Sequence, residues 1–173
     1  MIPSDHFVRF YSEVFKFLDE CNGLIPYYQE ISRHQELHCL KLFQEKGLEG
    51  MLEYWSHIAV EENCLLDLEL RDGILWSHMR KCPSLTKVLD NDASPCKKYC
   101  EHCPGWILPL FTKCGYYCVY DLIGMDVPQC RKFVTADLEK ARRIYRKWKK
   151  LYSPEYLRMN FTLGTMKQTK NIL

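Results

Sequence analysis

Apolar residues recur at helical spacing along the first third of the chain. Phe7, Phe10, Tyr11, Val14, Phe15 and Leu18 mark an amphipathic helix over residues 4–21, with Ser4 as N-cap and that stripe facing inward. Asn22-Gly23 closes it, and Pro26 opens a second helix that runs to about Lys46 and ends at Gly47. A third helix follows, with Leu48, Met51, Leu52, Trp55, Ile58 and Ala59 on one stripe.

The period then falls to two. Leu66, Leu68 and Leu70 alternate with Asp67, Glu69 and Arg71, the pattern of a half-buried strand. Asp72-Gly73 is a two-residue hairpin signal, and residues 74–80 return as its partner. Cys82-Pro83 starts a short helix to about Leu89. Ser94-Pro95 predicts a further helix carrying Cys96, Cys100 and Cys103, broken at Pro104-Gly105 and followed by a short segment over 106–113. Residues 116–123 and 129–135 read as a second hairpin. A last amphipathic helix over 137–152 turns Leu138, Ala141, Tyr145, Trp148 and Tyr152 inward, and Ser153-Pro154 starts a small C-terminal helix, with a frayed tail from Lys167. The pattern describes a single α+β domain: a helical part (1–63), a cysteine-rich α+β part (64–152) whose two antiparallel hairpins flank the cysteine-bearing helix, and a C-terminal piece (153–173).

Composition adds limits. A chain of 173 residues, 47% hydrophobic and 27% charged with net charge +2, can bury its own core and offers no general argument for nucleic acid or an anionic membrane. The N-terminus lacks the basic and apolar regions of a signal peptide, and the longest apolar block, 106–111, is far short of the ~20 residues a spanning helix needs. A cytoplasmic protein is therefore expected, with its ten cysteines as free thiols. Eleven tyrosines, eight phenylalanines and four tryptophans suit a packed core or an aromatic-lined ligand pocket.

The candidate chemistry is thiol chemistry. Cys82, Cys96, Cys100, Cys103, Cys114, Cys118 and Cys130 crowd into one stretch. On the expected helix, Cys96, Cys100 and Cys103 share one face, so three sulfurs converge. Cys96 falls in its first turn, where the helix dipole favours thiolate, which makes it the candidate nucleophile. Thiolates bind soft metals, so a metal or cluster site is the leading expectation, with Cys82 or Cys130 as fourth ligand. Buried structural thiols and redox disulfide chemistry are the alternatives. His102 adjoins two of these cysteines and can ligate, support a ligand or relay a proton. Cys114 and Cys118 read as strand-packing residues. The metal expected there is zinc or a [4Fe–4S] cluster.

Two resemblances bear on this stretch. The spacing C-x3-C-x2-C of Cys96, Cys100 and Cys103 is similar to the radical S-adenosylmethionine cluster motif, but the residues after Cys103 are too few for that family's β/α barrel. The order Cys82-Pro83, Cys96, Cys100, Pro109, Gly124 and Cys130 resembles the L-2-amino-thiazoline-4-carboxylic acid hydrolase-like family over residues 60–135. That resemblance implies a helical front and an α+β back, with Cys82, Cys96, Cys100 and Cys130 as metal ligands. It also implies a hydrolase acting on a non-peptide C–N bond, opening a cyclic C=N bond in a small heterocycle. A non-catalytic zinc- or cluster-binding sensor of a small molecule is the alternative.

Other features favour plain readings. His34 and His38 are four apart but lack the H-E-x-x-H order, and His57 and His78 read as structural. The basic run over 140–150 interleaves Tyr145 and Trp148 at a spacing that puts the aromatics inward and the cations in solvent.

Overall fold

The structure is a computed structural model that describes residues 3–34, 39–90 and 94–163. Helix α1 (Pro3–Glu20) is followed by α2 (Leu24–His34) and α3 (Leu40–Glu61). Strands β1 (Leu65–Arg71) and β2 (Ile74–Lys81) form the first hairpin, and α4 (Pro83–Leu89) follows. A 3-10 turn, Tyr99–Glu101, leads into α5 (His102–Lys113). Then come β3 (Tyr117–Asp121), β4 (Cys130–Thr135), α6 (Leu138–Leu151), a second 3-10 turn (Pro154–Tyr156) and β5 (Leu157–Met159). The fold is α+β, as the periodicities predict.

Several local signals act as expected. Asp72 and Gly73 both take positive φ, 55° and 69°, the geometry a tight two-residue hairpin needs. Gly47 breaks the helical path with φ 59°, so the segments on either side of it are joined across a kink. Asp137 caps α6 by accepting from the Lys140 N–H at 2.9 Å. On α6, Ala141, Tyr145 and Trp148 are buried and the flanking cations face outward, which is the solvated-face reading.

The two hairpins do not stay apart. β2 pairs with β4, so they merge into one antiparallel sheet ordered β1-β2-β4-β3-β5. Strand alternation then gives each face its own core. Leu75, Val134, Cys118, Tyr120 and Leu122 pack against Phe43, Met51 and Trp55 of α3 and Ile107, Leu110 and Phe111 of α5. On the other face Ile74, Val119, Phe133 and Leu157 meet Ala141, Tyr145 and Trp148 of α6. A third cluster, built from Phe15, Leu24, Tyr28, Leu85, Val88, Cys96 and Tyr99, ties α1, α2 and α4 to the cysteine segment.

Five expectations are corrected. The packed stripe of α1 is rotated: Ser12 and Phe15 are buried, while Phe7 and Phe10 are more than 60% exposed (64% and 62%) and Tyr11 is also exposed. The buried Ser12 hydroxyl accepts from the Cys96 N–H at 3.0 Å, which holds that face inward. Among the described residues α2 is Leu24–His34 and α3 begins at Leu40 after the non-helical Cys39, so the second helix does not run unbroken to Lys46. Cys96 lies in irregular backbone just before the turn at 97–98 and the 3-10 turn, not on a helix with Cys100 and Cys103. Pro104-Gly105 does not break α5. Pro104 occupies its first turn, where no intrahelical N–H is needed. The C-terminal helix is only a 3-10 turn, and the sheet gains β5, which pairs with β3. The tail from Lys167, with Glu36 and His38, lies outside the described residues.

One close approach fixes the cysteine segment on the helical part. A Cβ on Gly105 would stand 2.5 Å from the Tyr28 ring, so α2 and α5 meet where only glycine fits.

A candidate thiol metal centre

Four of the five candidate cysteine ligands line one small cavity of about 30 Å³: Cys82, Cys100, Cys103 and Cys130. Each comes from a different local structure. Cys82 is the N-cap of α4, where its Sγ accepts from the Leu85 N–H at 3.4 Å and its own N–H donates to the Pro128 carbonyl at 2.7 Å. Cys100 sits in the 3-10 turn, Cys103 in the first turn of α5, and Cys130 is the first residue of β4. Leu85, Tyr99, His102, Tyr120, Leu122 and Gln129 complete the wall. Among the described residues, no three His, Cys, Asp or Glu side chains are already drawn together at coordinating distance. Cys82, Cys96, Cys100, Cys103 and Cys130 are free thiols.

The imidazole of His102 has a fixed tautomer. Its Nδ1 lies 2.7 Å from the Tyr99 carbonyl oxygen, which can only accept, so Nδ1 carries the proton. Nε2 is then left with its lone pair, 3.4 Å from Sγ of Cys103. This is the arrangement a metal-binding histidine shows, and equally that of a base beside a thiol. Burial pushes the imidazole pKa down, which keeps the ring neutral.

Burial sets the thiols as well. It raises Cys82, Cys100, Cys103 and Cys130, with Cys130 pushed up to about 12, and their mutual proximity adds to the rise for all but Cys103. The opposing groups are Tyr120 and Lys132. The Tyr120 hydroxyl lies 3.3 Å from Sγ of Cys130, and the Lys132 cation lowers both Cys103 and Cys130.

Lys132 is the residue sequence reading missed. It faces Ser77 and Tyr120 across the sheet and shares a strand face with Cys130, two residues away. Its ammonium is buried, donates to Ser77 Oγ at 3.2 Å, and stands 4.6 Å from the Trp55 ring centroid. Burial lowers its pKa, and the titratable groups that oppose that shift are Cys130, Cys118 and Cys103. The parity of Cys130 and Lys132 along one strand was the available signal. A lysine in a strand is ordinarily read as pointing to water.

Cys96 stands elsewhere. It is buried among Phe15, Tyr28 and Val88, does not line the thiol cavity, and burial raises its thiol rather than lowering it. Without a helix around it there is no dipole to favour thiolate. Cys114 is the C-cap of α5 rather than a strand residue, and Cys118 is buried in β3. His34 and His57 are exposed and pair with Glu30 and Glu61. His78 is half-buried on β2.

Glu101 pins the cysteine turn to the sheet edge. Its carboxylate takes the Arg158 guanidinium of β5 in a two-pronged pair, with Nε at 2.9 and 3.1 Å from the two oxygens.

No protein-family model, curated protein or solved structure matches the chain. Among the described residues no helix is long and apolar enough to cross a membrane.

Proposed function

We propose that this chain is a cysteine-ligated metalloprotein that acts on or binds a small molecule. One observation carries the reading: four thiols from four separate pieces of local structure wall a single cavity, with a neutral imidazole nitrogen beside them. Isolated buried cysteines need no such convergence. The buried Lys132 cation supports it further. A dication held by four thiolates has a net charge of about −2, and a nearby ammonium offsets part of it.

A single ion is compatible with the cavity. About 30 Å³ is room for one water or one metal ion. Thiolate and imidazole donors suit zinc. Bound zinc would supply Lewis acidity and an activated water. Around it, Tyr120 and Lys132 would steady the thiolates, and His102 Nε2 would take either a coordination position or a proton. Hydrolytic opening of a cyclic C=N bond in a small heterocycle, the reaction implied by the family resemblance, is the enzymatic form of this proposal.

A non-catalytic small-molecule sensor is the second reading. It is favoured by the donor count, because Cys82, Cys100, His102, Cys103 and Cys130 can fill a tetrahedral shell and leave no open position.

Anaerobic purification with metal analysis and an absorption spectrum tests the proposal. The expected result is a colourless protein with one zinc per chain, lost in the C100S/C103S double variant. Broad absorption near ~400 nm would identify an iron–sulfur cluster instead. Wild-type protein that binds no metal even when refolded with zinc would sink the metal reading. Turnover of thiazolines by the zinc protein would select the hydrolase over the sensor.

A further inference from the structure

A second, much larger cavity of about 510 Å³ lies on the other side of His102 and Tyr99, which border both it and the thiol cavity. Its size is that of a small-molecule site. Its walls come from α1, α2, α4 and α5, and they are aromatic: Tyr11, Phe15, Tyr27, Tyr28, Tyr99 and Trp106. Glu62 is the single acidic residue in that lining, and no lysine or arginine joins it. Glu62 is exposed and stands in no ion pair among the described residues.

One wall residue has an unmet demand. Tyr28 is only 2% exposed, and its hydroxyl has no hydrogen-bond partner among the described residues. A buried hydroxyl left alone costs about 1–3 kcal/mol. The ring lies against Gly105, where a Cβ would stand 2.5 Å from it. The Ser84 hydroxyl, also in the wall, is already engaged with Tyr99 at 2.7 Å.

From this combination we infer that the aromatic cavity binds a primary ammonium ion carried on an aryl or alkyl body. The ring faces attract a cation and cover its apolar body. Glu62 supplies the only formal charge in the lining, and its sign selects cations over anions. The Tyr28 hydroxyl, donor and acceptor alike, adds an unpartnered polar group to this wall, and the choice of charge rests on the ring faces and Glu62. Binding itself needs no metal. That a bound amine lies against the imidazole shared with the thiol centre rests on the reading above.

The experiment is calorimetric titration of the purified full chain at pH 7.5 with three probes of one shape: benzylammonium, benzyl alcohol and benzoate. Zinc content is measured on the same sample. Benzylammonium should bind at least about tenfold more tightly than either other probe, within the range of a partly desolvated cation–π site. E62Q should shrink that preference to within about threefold, and E62K should reverse it toward benzoate. Glu62 is exposed, so neither change should alter the unfolding temperature. Equal affinity for the three probes, tighter binding of benzoate to wild type, or no saturable binding of benzylammonium would overturn the inference. A zinc-free sample that still prefers benzylammonium counts against the metal reading alone. A zinc-loaded sample that does not prefer it counts against this inference alone.

Discussion

The thiol of Cys103 lies 3.4 Å from Nε2 of His102, and the other nitrogen of that ring is committed to the Tyr99 carbonyl. The backbone of the 3-10 turn therefore decides which way the imidazole lone pair points. A sidewall shared by two cavities carries the only neutral nitrogen base of the site.

H102F should separate the ring from its nitrogen. Phenylalanine keeps the contacts with Phe15 and Tyr99 and loses only the Nδ1 hydrogen bond to the Tyr99 carbonyl, so stability should fall by about 1 kcal/mol. Zinc affinity, read by chelator competition, should fall about 10- to 100-fold, the usual cost of losing a group that holds or orients a metal ligand. An unchanged affinity would remove His102 from the centre.

Lys132 offers the opposite dissociation. Replacing a buried cation by an apolar residue of similar length is often neutral or stabilising. K132M should thus leave the metal-free chain as stable as wild type, or raise its urea midpoint. It should nevertheless weaken zinc binding at least about tenfold, because Cys103 and Cys130 lose the charge that eases their deprotonation. Equal losses of stability and affinity would point to packing alone.

The metal-free chain should be alkali-sensitive. A buried thiol with its pKa raised folds best while protonated, so its contribution is complete below the ordinary value of 9.0 and is lost as pH climbs towards the folded value. Cys118 and Cys130, both pushed to about 12, set that window between pH 9 and about 12. Zinc binding has the reverse sign, because it requires thiolates and tightens as pH rises. Unfolding curves with and without zinc from pH 7 to 10.5 should diverge steadily. Parallel curves would contradict a thiolate centre.

Gly105 is a packing test independent of any metal. G105A drives a methyl to 2.5 Å from the Tyr28 ring, and overpacking of this kind costs about 1–3 kcal/mol. The loss should appear as a lower denaturant midpoint, and the small-to-large clash should be partly relieved in G105A/Y28L.

E101Q should loosen the turn that carries Cys100. The Glu101–Arg158 pair is only partly exposed, at 21% and 31%, so its loss should cost about 1–2 kcal/mol and also weaken zinc binding. R158M should behave alike, and the double variant should be no worse than either single one.

The sequence by itself determined what depends on neighbours along the chain. The helical and alternating periods located α1, α3, α4, α6 and four strands. Asp72-Gly73, Gly47, Cys82-Pro83 and Asp137 marked turns and caps whose geometry is local, and thiol density marked the stretch to watch. Tertiary structure decided what depends on distant partners. Cys96 was assigned by a helix that does not form, and it packs beside α1 instead. Cys82 and Cys130 reach Cys100 and Cys103 because β2 pairs with β4 and brings the two hairpins into one sheet. Lys132 is buried because that sheet is covered on both faces, and β5 exists because it finds the free edge of β3. Alternation along a strand can be read from one segment. Which face is covered, and by what, is set only when the segments pack.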